Sequence, residues 1–415
     1  MIRDDTGSLG AMGAPAGSRS FRFVVAAHGA FSLAFWGAFG TMFTEATYRF
    51  DSGPGQMAVL GASLSVPFIV VSLVQGLAVD RGSPKWIGVG GFLFAAGAFP
   101  IAIVAPSIAW LYIATFILGM AWATVEPARS ALTALLVPED LLVRANAILA
   151  IAFQAALIVG GIGSAVLIDL AGAHLVYTIG LVSALLAPLF LLWVPDVRQQ
   201  GEIPSVSIRD LRAGAATTWD HPGLRLLLIV TSAGWVLVNI FFVLEPLFVR
   251  ETLGVGPSVV LVLWGLHGCG ALIGATISAS TDRAVGREAP VICFGVMLVG
   301  AGIFAYAAAG LLGVAMVATA VQGFGFAWFF PVLFAYIQRV VREDQRGRVT
   351  GLFVATQEAV GLLGSIAIFI LGSAVPVRST MVVCGAIVAV IGLIGLRLAT
   401  AVAAREPVVV VDDGS

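Results

Sequence analysis

Glu358 stands inside the apolar run "LFVATQEAVGLLGSIAIF", with no basic residue within one helical turn of it. It lies about eleven residues, or about 16 Å, into the span expected at 347–373 by helical rise. An ionised carboxylate at mid-bilayer costs roughly 2.5–3.5 kcal/mol on insertion scales. Without a cation to share that cost, the chemistry open to Glu358 is uptake and release of a proton. The competing reading is a protonated acid that hydrogen-bonds across helices as structural glue. Glu126 and Arg129 form a different arrangement. At i, i+3 they share one helix face and can neutralise each other. Such a pair either opens and closes with proton or substrate, or sits permanently paired near a cavity mouth. His28 and His267 also fall in apolar runs, and histidine can titrate near neutral pH; a lone buried histidine more often packs and hydrogen-bonds. Gln154, Gln357, Asn239 and Gln322 are polar groups able to line a cavity. In "AVQGFGFAWFFP", residues 320–331, Phe324, Phe326, Trp328 and Phe329 could wall a bulky apolar ligand. Its glycines suit close helix contact.

Other charges gather where apolar runs end. "LAVDRGSPKW" places Asp80, Arg81 and Lys85 after Gly76, and "SASTDRAVGRE" repeats the pattern as Asp282, Arg283 and Arg287, 202 positions later. An acid at that place can face a helix N-terminus or pair with Arg144 or Arg348 from another loop. The expected role is a gate latch on one face of the membrane; the plainer role is a topology signal. Glu45 with Arg49, and Glu245 with Arg250, mark the opposite face as gate candidates or as solvated end charges.

The elements that must hold these groups follow from composition. The chain of 415 residues is 59% hydrophobic and only 11% charged. A soluble domain carries about 25% charged residues. Continuous apolar runs of about 20 residues match the hydrocarbon thickness crossed by a helix, and backbone satisfaction in lipid then demands helices. Spans are expected at 22–44, 56–79, 87–105, 107–137, 144–170, 174–194, 223–248, 257–281, 289–309, 311–341, 347–373 and 378–400. This is an all-α polytopic membrane protein. Residues 1–21 and 401–415 read as cytoplasmic tails, and 195–222 as a cytoplasmic linker between bundles 22–194 and 223–400. With the termini inside, all of the 22 basic residues except Arg49, Arg129, Arg250 and Arg378 lie in or beside cytoplasmic segments. That bias follows the positive-inside rule. "SIRDLRAGAATTW" in the linker reads as a short surface helix. A net charge of −1 argues against a nucleic-acid partner. Cys269, Cys293 and Cys384 lack metal-ligand or disulfide spacing. No nucleotide, metal or catalytic motif is seen, so neither a cofactor nor an enzymatic reaction is expected.

The two halves echo each other. "GMAWATVEPARSALTALLVPEDLLVR" aligns with "GFGFAWFFPVLFAYIQRVVREDQRGR" at an offset of 204, pairing Gly119 with Gly323 and Pro127 with Pro331. A six-helix unit used twice in one orientation places a substrate chamber between the halves near mid-depth. On these features the chain resembles the major facilitator superfamily across residues 22–400. Gly76, Asp80, Arg81 and Lys85 match that family's loop signature, which Ser83 and Pro84 break. Pro127-Ala128-Arg129, Val137-Pro138 and Ala145-Asn146 are similar to the macrolide- and siderophore-exporter-like branch. Thr115, four residues before Gly119, stands where proton-coupled antiporters of the family carry arginine; Gly160, Gly161 and Gly163 stand without the proline of their fifth-helix signature. The resemblance implies a monomeric secondary transporter in a prokaryotic cytoplasmic membrane. It would export a small apolar or amphipathic molecule by proton antiport. Lipid flipping, uptake symport, or a scaffold or sensor that kept the fold are the alternatives.

Overall fold

In a computed structural model the described residues are 19–79, 83–138, 141–197, 208–279 and 287–403. Among them the chain forms α-helices, one π-helical turn and no strand. The first set contains α1 (Arg19–Tyr48), α2 (Pro54–Val79), α3 (Pro84–Ala96) with α4 (Ala98–Ile103), α5 (Ile108–Leu136), α6 (Leu142–Ala171) and α7 (Ala173–Leu192). The linker helix α8 (Ile208–Asp220) follows. The second set is α9 (Pro222–Phe248) with the π-helical turn Val249–Leu253, α10 (Pro257–Ala279), α11 (Glu288–Ala309), α12 (Leu312–Val340), α13 (Glu343–Leu371) and α14 (Val377–Ala403). Twelve of these units are long and apolar enough to cross a membrane, α3 and α4 counting together as one. The expected spans agree with them to within a few residues. Twelve crossings return the chain to its starting side, here called the terminal side; the opposite side is the far side.

Close packing inside each set rests on glycine. Gly119 of α5 lies so near α2 that a Cβ there would meet the Leu64 carbonyl at 2.5 Å. On its repeat partner, Gly323 of α12, an added Cβ would meet the His267 carbonyl of α10 at 1.9 Å. The same small residue thus brings together the second and fourth helices of each set, because interhelical contact in lipid depends on backbone approach. Pro127 and Pro331 sit inside α5 and α12, which is tolerated where neighbouring helices support the freed carbonyls.

The two sets meet along α6–α10 and α2–α13. Gly161 stands against Leu261 and Gly265, and Gly268 against Leu157 and Ile158. Gly61 of α2 faces Val243 and Ser365, while Gly372 faces Pro54. Three hydrogen bonds add to this. Tyr48 donates to the Val255 carbonyl at 2.7 Å, and Arg250 donates to the Thr47 carbonyl and, at 2.7 Å, to Asp51. These contacts lie at mid-depth or in the far half, so among the described residues it is the far side that is joined. Helix α8 docks on the second set: Gly214 abuts the Arg348 carbonyl, and Thr217 donates to Gln345 at 3.1 Å.

Candidate functional site

Aromatic rings, most of them half-buried, run without a break from one set to the other. Trp122 of α5 lies 4.5 Å from Phe35 and 5.7 Å from Phe153 of α6. Phe153 lies 5.6 Å from Trp36 of α1, and Trp36 lies 6.4 Å from Trp264 of α10. Phe39 closes on Trp264 at 5.3 Å. In the second set Phe242 bridges Trp264 to His267, His267 meets Phe326 of α12, and Trp235 of α9 stacks on Phe326 at 5.6 Å. Most of these rings keep part of their surface accessible at the seam between the sets. A seam of this composition can hold an apolar or aromatic body by area and ring geometry. Trp36 and His267 add polar atoms, Nε1 and Nδ1, that are buried without a partner among the described residues. Such atoms are free to meet a ligand's acceptor or donor.

Glu358 is half-buried at mid-depth of α13 and has no hydrogen bond or ion pair among the described residues. Gln357 beside it is buried. One turn farther along α13, Gly361 and Gly364 admit α9, and Ser365 donates to the Asn239 side-chain oxygen at 3.3 Å. Gln154 is half-buried on α6, next to Phe153. Glu126 and Arg129 do pair: Nε of Arg129 donates to Oε2 at 3.0 Å, and Nη2 donates to Oε1. This two-pronged contact is the geometry a guanidinium offers a carboxylate. His28 faces the same pair from α1 and stacks on Phe153 at 6.3 Å, a contact that the sequence does not reveal.

Two cavity candidates point elsewhere. Gln322 is buried against Gly302 of α11, and Trp328 packs against Phe294 of α11 and Phe324. Successive residues of a helix turn by about 100°, so Trp328 faces well away from Phe326, two positions earlier. Both serve the inner packing of the second set.

The end charges divide similarly. Glu45 is buried rather than solvated. It accepts from Tyr177 at 2.8 Å and Arg49 at 3.0 Å, and Arg49 also donates to the Ala105 carbonyl. That is a brace within the first set. Glu245 is buried as well, and its Oε2 accepts from Trp264 Nε1 at 2.9 Å. Arg250, carried on the π-helical turn, is the member of these four that reaches across to the other set.

On the terminal side, Asp80, Arg81, Asp282 and Arg283 lie outside the described residues. Arg144, Arg287 and Arg348 are exposed at helix ends. Lys85 does not reach for a partner loop. It is buried and donates to the Leu192 and Val194 carbonyls at 3.1 and 2.6 Å, capping the end of α7. Ser83 hydrogen-bonds Asp196 beside it, and Pro84 starts α3. The two departures from the loop signature thus belong to one local cap. A cation at a helix C-terminus satisfies otherwise orphaned carbonyls. Lys85→Met is expected to destabilise the protein by about 1.5–3 kcal/mol, the worth of hydrogen bonds to a charged group. A lowered melting temperature in detergent, with the dye transport discussed below retained at permissive temperature, would verify this.

Solved structures share this fold. A bacterial homolog of the human lysosomal transporter Spinster, in an inward-facing and unoccupied conformation, superposes with a TM-score of 0.73 at 13% identity, covering 94% of this chain and 99% of that one. A POT family transporter in complex with 5-aminolevulinic acid gives 0.75 at 11% identity, over 92% and 96% of the two chains. The nucleoside transporter NupG gives 0.69 at 13% identity, over 91% and 98%. No curated protein sequence matches the chain. The sequence model of the Major Facilitator Superfamily matches residues 25–281 and 270–409, nearly the whole length, and the chain therefore belongs to that family of membrane transporters.

Proposed function

We propose that the chain exports a small, weakly charged apolar or amphipathic molecule by alternating access in exchange for protons, with both termini in the cytoplasm. The observation that carries the substrate class is the ring path from Trp122 through Trp36 and Trp264 to Trp235 at the seam of the two sets. Such a wall favours an apolar body over a sugar phosphate or a dicarboxylate, which would need several cations. Glu358 supports coupling, because it is an acid with no counter-ion among the described residues, one turn before Gly361, which abuts Trp235 of the ring path. Each charge moved across 100 mV is worth about 2.3 kcal/mol, enough to sustain a useful concentration ratio. The charge bias of the loops supports the orientation, and the motif around Pro127-Ala128-Arg129 supports the exporter-like branch.

The test uses purified protein in proteoliposomes, with ethidium and the neutral dye Nile red as probes. An imposed proton gradient should drive dye movement against its own gradient, and collapse of the proton gradient should stop it. Dye movement indifferent to protons would overturn the coupling. A crevice of about 120 Å³ between α1, α6 and α7, lined by Gly37, Gly160, Val159 and Ile179 and open on the lipid-facing surface, favours one second reading. In that reading a lipid enters from the side, and labelled lipid would be scrambled between leaflets. A scaffold or sensor would do neither.

A further inference from the structure

We propose that Glu245 is a proton-binding site that latches Trp264 as a plug on the far side of the chamber. Glu245 lies three residues from the end of α9 and is 1% exposed. Its Oε2 accepts from the Trp264 indole at 2.9 Å. Its Oε1 has no hydrogen-bond partner among the described residues. The Tyr306 hydroxyl of α11 faces the same carboxyl group without completing a bond of normal geometry. Beyond Tyr306 stand Tyr48 of α1 and Arg250 of the π-helical turn. No ionisable group from α2, α10, α13 or α14 acts on Glu245 among the described residues. A bare, buried carboxyl oxygen is costly unless it gains a donor or a proton. Tyr306 serves both cases: it donates to the carboxylate, or accepts from the protonated Oε1.

Trp264 turns this chemistry into shape. Its ring lies over Gly40 of α1, where an added Cβ would be 3.2 Å from the indole, and against Phe39 and Phe43. Its indole N–H is held by the second set while its face closes on the first. As a carboxylate, Glu245 holds that N–H through a charge-assisted bond about twice as strong as a neutral one. Proton uptake at Oε1 weakens the hold and frees the plug, so that the far side opens. This rests on the transporter fold and alternating access, not on any particular substrate.

The experiment therefore needs no substrate. Spin labels at Gly53 and Gly256, far-side loop positions with open space around them, report the separation of the sets in protein whose three native cysteines are replaced. Acidification should raise the far-open fraction of the parent. Glu245→Gln, which copies the protonated acid, should raise the far-open to closed ratio about tenfold at alkaline pH, the scale of one charged hydrogen bond, and abolish the pH response. Trp264→Phe keeps the ring, removes the donor and should behave alike; it carries the test if Glu245→Gln fails to fold. A parent-like closed fraction and pH response in Trp264→Phe or in folded Glu245→Gln overturns the latch. Intact pH-driven opening together with proton-independent dye transport would overturn the antiport reading and leave the latch standing.

Discussion

Glu358→Gln is expected to abolish proton-driven accumulation of dye while leaving the protein folded in the membrane. The glutamine keeps the volume and the hydrogen-bonding oxygen of the acid but cannot release a proton. Because the carboxyl makes no hydrogen bond or ion pair among the described residues, the substitution leaves no stranded partner, and the usual large penalty for breaking a buried pair does not arise. The loss should fall on coupling alone. In proteoliposomes the gradient-driven rate should drop at least tenfold, which is about 1.4 kcal/mol of lost driving interaction. Exchange of dye without any gradient should continue at nearly the parent's rate. Glu126 offers the contrast. Arg129 already holds both of its oxygens, so Glu126→Gln strands a guanidinium and should impair folding and exchange together. A Glu358→Gln protein that still concentrates dye against a proton gradient would remove Glu358 from the coupling scheme.

The contrast shows what the sequence can and cannot carry. Apolar runs and their polar breaks mark the spans, because the bilayer imposes a length on every helix. Local pairs such as Glu126 and Arg129 follow from helical spacing alone. Contacts set by packing are a different matter. Trp264 and Glu245 are 19 positions apart on different helices, and their hydrogen bond depends on how α9 and α10 lean together. Two of the seam rings lay in view as Trp36 and Trp122, tryptophans far from the interfacial positions where this residue collects. That unusual depth was the available signal. Gln322 and Trp328 went the other way. Their types suit a chamber, but the rotation of α12 turns them to α11. Lys85 reads as a loop charge and proves to be a helix cap, because its long stem reaches the α7 carbonyls from the first turn of α3.

Gly323→Ala is expected to be among the most destabilising single-methyl changes in the second set. The helices α10 and α12 interlock through three glycines. A Cβ on Gly323 would sit 1.9 Å from the His267 carbonyl; on Gly270, 1.9 Å from that of Ala320; on Gly274, 2.3 Å from that of Phe324. Carbon and oxygen need about 3.5 Å, and the obstructing atoms are backbone, so neither helix can move a side chain aside. The pair must separate by more than an ångström or shear along its axis. Overpacking of this kind costs about 1–3 kcal/mol and sometimes more, against the roughly 1 kcal/mol that alanine gains over glycine in a helix. The displaced turn carries His267 and lies next to Phe326, so the ring path should be disturbed along with the fold. Gly90→Ala and Gly163→Ala supply the control, since neither position has an atom within 4 Å of an added Cβ. Those two should melt at or slightly above the parent temperature, while Gly323→Ala melts well below it and loses dye transport. Equal melting of Gly323→Ala and Gly90→Ala would mean that α10 and α12 are not held together by backbone contact, and the placement of the chamber wall would fall with it.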